Sequence, residues 1–200
     1  MSRTSRVNVI AVGASLGGLA AVQTLLRGLP AHLGSSLVVV QHRRADPDSR
    51  LLWLLGRVGV LPISEPDDKT PLEPDHVYLA PSDYHLLVEG SGSLALSIDA
   101  PVRFARPSID VLFESVADAC GPNAIGVMLT SSNDDGVDGA RAIKRAGGRI
   151  VVQDPATAES PIGPRAALAN VAVDRVAPLE EIAAALVELC GGGTSKVARA

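Results

Sequence analysis

The chain alternates short, β-branched apolar runs with amphipathic stretches of helix length, and no other feature restricts its fold as strongly. Val7–Val12, Leu37–Gln41, Ile125–Thr130, Arg149–Gln153 and Val171–Val176 read as strands. Leu19–Leu29, Ser49–Val58, Ser108–Cys120, Gly136–Ala146 and Leu179–Cys190 read as helices between or after them. A helix between successive strands carries the chain back across a sheet, so neighbouring strands run parallel. The pattern predicts an α/β fold: a three-layer, doubly wound, mostly parallel Rossmann-like sheet. The middle breaks the rhythm. Val77-Tyr78-Leu79, His85–Glu89 and Leu94–Ile98, with Gly90-Ser91-Gly92 between the last two, predict an antiparallel, hairpin-bearing portion. Glu65–Asp75 carries three prolines and reads as a loop inside one domain, residues 1–200, with its core at about 7–190. Gly191–Ala200 is expected to be a frayed tail.

Composition narrows the function classes. With 200 residues, 46% of them hydrophobic, the chain can bury a core without disulfide or metal staples. A formal net charge of −4 and only 2% aromatic residues speak against a basic, base-stacking surface, so no nucleic-acid partner is expected. Cys120 and Cys190 are too few and too far apart for a zinc site or a disulfide framework. No metal is expected, and the nucleophilic chemistry read below from the strand ends needs no organic cofactor. The basic N-terminal residues precede an apolar run that Gly13 cuts short, a pattern of neither signal peptide nor membrane span. A cytoplasmic protein without membrane insertion is expected.

Chemistry concentrates where strands end. Gly13-Ala14-Ser15-Leu16-Gly17-Gly18 joins the first strand to the first helix, and Gly13-x-Ser15-x-Gly17 has the spacing of a nucleophile elbow. His42 follows the second strand, and Asp135 with Gly136 follows the strand ending near Thr130. Parallel α/β sheets bind ligands at the carboxyl ends of their strands, so serine, histidine and aspartate all fall on one edge. That convergence suits nucleophilic catalysis, in which an imidazole takes the serine proton and a carboxylate orients the imidazole. Each residue also has a plainer reading: Ser15 as a helix N-cap, His42 as a solvated loop residue beside Arg43 and Arg44, Asp135-Gly136 as a capping turn. His85 is a rival base. The same glycine turn, followed by Arg43 and Arg44, also leaves open an NADP-binding module.

Taken together, the segments Val12–Gly18, Val40-Gln41-His42, Val77–His85, Arg106–Phe113 and Met128–Gly136 resemble the catalytic domain of CheB-type chemotaxis protein-glutamate methylesterases. The resemblance runs from about Val7 to Leu189. It implies demethylation of glutamate methyl esters on methyl-accepting chemotaxis receptors, with release of methanol, and possible deamidation of receptor glutamines. It assigns Ser15 as nucleophile, His42 as base and then acid, and Asp135 as orienter. Backbone N–H groups near Leu16 and Ser132 are expected to form the oxyanion hole. Two positions depart from the family pattern: Leu16, where threonine is common, and Ser131-Ser132-Asn133, where a glycine-rich loop is usual. With only six residues before the first strand, no receiver domain is expected in this chain. A binding module of the same fold with impaired catalysis is the alternative.

Overall fold

The computed structural model describes residues 8–43 and 50–191. The basic N-terminal segment, the predicted strand start at Val7, Arg44, the helix start at Ser49 and the tail beyond Gly191 therefore lie outside the described residues.

Seven strands form one sheet in the order β3-β4-β2-β1-β7-β8-β9, every neighbouring pair parallel. They are β1 (Asn8–Ala14), β2 (Ser35–Gln41), β3 (Ile63–Ser64), β4 (Val77–Leu79), β7 (Ala124–Met128), β8 (Arg149–Gln153) and β9 (Arg175–Ala177). Two further strands, β5 (His85–Val88) and β6 (Leu94–Ser97), make a separate antiparallel hairpin. The helices are α1 (Gly18–Gly28), α2 (Arg50–Leu55), α3 (Ile109–Cys120), α4 (Val137–Arg145), α5 (Ile162–Asn170) and α6 (Ile182–Leu189).

The near-continuous apolar strands are what a sheet covered on both faces requires. Successive strand side chains point to opposite faces. Ile10, Val12, Leu37 and Val39 therefore join Val22, Leu25 and Leu186 in one core layer. Val9, Ala11, Val38 and Val40 join Leu112, Phe113 and Ile143 in the other, where Leu86 and Leu94 of the hairpin also pack.

Two expectations need correction, and one helix was not foreseen. Val77–Leu79 does not belong to the antiparallel portion; it pairs parallel with Leu37–Val39 and with Ile63–Ser64. The run read as Val171–Val176 is pulled apart, because α5 extends to Asn170 and the strand begins only at Arg175. Helix α5 itself is masked in the sequence by Pro161 at its cap and by Gly163 and Pro164 in its first turn. Proline is tolerated there because the first helical N–H groups have no partner in any case.

Placement of the site follows from the order of the sheet. From β1 the chain first builds outward through β2, and only later adds β7 on the opposite side. The crevice at the carboxyl ends of β1 and β7 is thus a topological switch point.

Candidate active site

Ser15 lies one residue past β1 and two before Gly17, which caps α1 at φ 77° without any side-chain hydrogen bond. Ser15 is therefore not the helix cap. Its backbone is pinned instead: its N–H donates to Thr130 O at 3.0 Å, and its carbonyl accepts from Gln41 Nε2 at 2.7 Å. The Ser15 hydroxyl has no hydrogen-bond partner among the described residues. Gly17 supplies a left-handed conformation that a side chain would resist. Gly13 serves a different purpose from the tight turn expected of it. It is a strand residue, and a Cβ there would lie 2.4 Å from Ile109 Cγ2.

His42 follows β2, its N–H bonded to Ala14 O at 2.9 Å, so the register of β1 and β2 brings it level with the Ser15 turn. Ser15, Leu16, His42, Ser132 and Glu159 line one open groove. His42 Nε2 lies 2.7 Å from Asp135 Oδ2. The imidazole is mostly buried and the Asp135 side chain wholly so.

Asp135 is held as an anion by its neighbours. Its Oδ1 accepts from Ser108 Oγ at 2.8 Å and from Asp110 N at 3.0 Å; its Oδ2 accepts from Ile109 N at 2.7 Å as well as from His42. Burial alone would push this carboxyl up. The bonds from His42, Ile109 and Asp110 outweigh burial and hold it below the ordinary carboxylate value. With Asp135 ionised it can only accept, so His42 donates from Nε2 and keeps Nδ1 as the nitrogen free to take a proton. Asp134 is elsewhere. It is half-exposed and pairs with Arg103 Nη1 at 2.9 Å.

Sequence reasoning missed the second carboxylate of this network. Asp110, in the first turn of α3, accepts from Gly136 N at 2.9 Å and Gly139 N at 2.8 Å at the start of α4, and from Arg103 Nε at 3.0 Å. Burial, with the nearby charge of Asp135 adding to it against the Gly139 bond, raises its pKa to about 6. A signal was present in the sequence: Ser108-Ile109-Asp110 is a cap residue followed by an acid in the first helical turn.

The loop expected to carry an oxyanion donor is held by side chains in place of glycine geometry. Ser160 Oγ donates to Ser131 O at 3.0 Å, Ser131 N donates to Ser160 O at 3.1 Å, and Ser131 Oγ lies 3.1 Å from Asn133 Oδ1. Among the described residues, the N–H groups of Leu16 and Ser132 donate to no protein acceptor. His85 is out of reach of this groove. It opens hairpin strand β5, is buried, accepts from Ser108 N at 3.2 Å and lies 3.2 Å from Ala100 O.

A phosphate-binding use of the glycine turn gains no support. Gln41 packs against it so closely that a Cβ on Gly18 would fall 1.8 Å from Gln41 Oε1. Among the described residues, no group of three or more His, Cys, Asp or Glu side chains is arranged as metal ligands would be.

A family model described as CheB methylesterase matches residues 10–186. The chain belongs to the CheB methylesterase family. A Leptospira interrogans relative is 42% identical over 180 residues, covering 90% of this chain and 93% of its own. Protein-glutamate methylesterase/protein-glutamine glutaminase 4 of Myxococcus xanthus is 45% identical over 75% of this chain, and the match spans 42% of that protein. Protein-glutamate methylesterase/protein-glutamine glutaminase 2 of Pseudomonas aeruginosa is 39% identical over 92% of this chain and 53% of its own length. The chain thus spans about half the length of several relatives in the CheB family. The crystal structure of the Thermotoga maritima CheB methylesterase catalytic domain superposes with a TM-score of 0.88 at 27% identity, covering 92% of this chain and 98% of that one. Among the described residues, no helix is long and apolar enough to cross a membrane.

Proposed function

We propose that this chain is a serine hydrolase that demethylates glutamate methyl esters on the cytoplasmic helices of chemoreceptors, releasing methanol. The observation that carries the reading is the 2.7 Å contact between His42 and a fully buried, four-fold hydrogen-bonded Asp135, in a groove shared with Ser15. The names of the relatives support the substrate class.

Ser15 Oγ attacks the ester carbonyl while His42 Nδ1 takes its proton, and Asp135 stabilises the imidazolium that forms. The carbonyl oxygen becomes an oxyanion, for which the unengaged N–H groups of Leu16 and Ser132 and the N-terminus of α1 are the available donors. His42 returns the proton to the departing methoxide, which leaves as methanol. Water, deprotonated by His42, then releases the glutamate carboxylate and restores Ser15. A glutamine side chain in the same position gives ammonia by the same steps, which accounts for a glutaminase activity.

The deciding experiment follows methanol released from methylated chemoreceptor membranes by the purified protein and by Ser15→Ala. Release that vanishes in the variant supports the proposal; a folded wild-type protein that releases none overturns it.

A further inference from the structure

Arg103 and Phe104 are consecutive residues with φ of 48° and 63°. Val102 and Ala105, on either side, exchange two backbone hydrogen bonds of 3.1 and 2.8 Å, so the segment is a tight two-residue turn. Turns with two left-handed centres are ordinarily built from Asn-Gly or Asp-Gly. A bulky residue at positive φ is an outlier that the surroundings must enforce.

For Arg103 the enforcement is plain. Its guanidinium bonds Asp110 Oδ2 at 3.0 Å, Asp134 Oδ1 at 2.9 Å and Asp138 Oδ2 at 2.7 Å, so the turn is clamped to α3, to the loop that carries Asp135 and to α4. For Phe104 the protein offers nothing. Its relative exposure is 104%, the highest of any large hydrophobic side chain among the described residues. A phenyl ring that gains no packing from the fold occupies a position where glycine or asparagine would be easier. Phe104 also lines, with His42, Arg106 and Asn133, a groove that adjoins the Ser15 groove through His42.

We infer that Phe104 is a specificity-determining contact for the polypeptide substrate: it packs on an apolar side chain one helical turn from the esterified glutamate. This rests on the proposed esterase reading. Side chains three or four residues apart share one helix face, so an ester directed at Ser15 presents its neighbour along the groove beyond His42. The Arg103 clamp keeps the ring from moving relative to Asp135, so docking of the helix and alignment of the ester are one event. A small ester has nothing to offer this ring; a protein substrate does.

The test compares methanol release from methylated receptor membranes for wild type, Phe104→Asn and Phe104→Leu, with thermal melts of each. Asparagine suits the left-handed turn, so that variant is expected to melt no lower than wild type. Its kcat/KM is expected to fall roughly 30-fold, through KM, the scale of losing an aromatic anchor in a protein interface. Leucine keeps apolar bulk and is expected to stay within about threefold. A folded Phe104→Asn with the wild-type KM, or one that loses kcat alone, overturns the inference while leaving the esterase intact. No release from wild type overturns the esterase reading, and this inference with it.

Discussion

Asp135→Asn separates the structural role of the Asp135 carboxylate from the catalytic one proposed for it. Four donors meet it: His42 Nε2 and Ile109 N on Oδ2, Ser108 Oγ and Asp110 N on Oδ1. An amide offers one oxygen and one NH2, so its orientation decides what is lost. With the oxygen at Oδ2, His42 and Ile109 keep their acceptor, the Ser108 hydroxyl turns to accept from the amide, and only the Asp110 N–H is orphaned. With the NH2 there, Ile109 N–H is orphaned and His42 must change tautomer. The first orientation costs less, because the hydroxyl of Ser108 can either donate or accept. One orphaned buried N–H corresponds to about 1–3 kcal/mol of stability.

The catalytic loss is then the missing charge beside the imidazolium and not a wrong tautomer. Opposite charges about 4 Å apart at an effective dielectric near 20 interact by about 4 kcal/mol, which is about 10³ in rate. Asp135→Asn is therefore expected to lose about a thousandfold in kcat on methylated receptors. In urea denaturation it is expected to remain folded, less stable by about 1–3 kcal/mol. A variant within tenfold of wild type refutes the reasoning. So does one that cannot be folded at all, since the amide would then not have found the inexpensive orientation.

Asp134→Asn, by contrast, loses only a half-exposed pair with Arg103, and both methanol release and urea midpoint should stay near wild type. Gly13→Ala drives a methyl to within 2.4 Å of Ile109 Cγ2, whose backbone N–H serves Asp135; overpacking predicts a loss of about 1–3 kcal/mol in a melt and a tenfold or greater drop in kcat. Asp110 has a folded pKa of about 6, above its usual 3.8, so its favourable contribution is full below pH 4 and is lost as pH rises through 6. Asp110→Asn removes that dependence: the stability difference between variant and wild type should move in the variant's favour by roughly 3 kcal/mol from pH 4 to pH 8. Urea curves at the two pH values that give a constant difference would refute this.

The strands β1, β2, β7 and β8 were legible because each is an apolar run ended by a turn signal and covered on both faces. β4 was misassigned for a physical reason. Three residues carry no record of which partner they pair with, and the partner here, β2, is some 40 positions away. That Ser15 and His42 share a groove and that His42 meets Asp135 could be anticipated because a parallel sheet gathers the ends of its strands on one edge. Asp110 and Arg103 could not be assigned a role in the same way. Their work depends on where the start of α3 lies relative to the start of α4, a tertiary relation that periodicity does not encode.

That relation explains why the Asp135 carboxylate is inseparable from the fold. Asp135, two residues before α4, accepts the first N–H groups of α3; Asp110, in the first turn of α3, accepts the first N–H groups of α4. Each helix start is capped by the acid that belongs to the other, and both carboxylates sit at the positive ends of helix dipoles. Ile109 locks the exchange. Its Cγ2 lies where a Cβ on Gly13 or on Gly136 would stand, at 2.4 and 2.5 Å, so one methyl group fills the gap beside the strand that leads to Ser15 and beside the loop that carries Asp135. The carboxylate that would steady His42 is thus ionised and aimed by contacts the protein needs in order to pack two helices. Changes that loosen α3 against α4 should for that reason cost activity before they cost the fold.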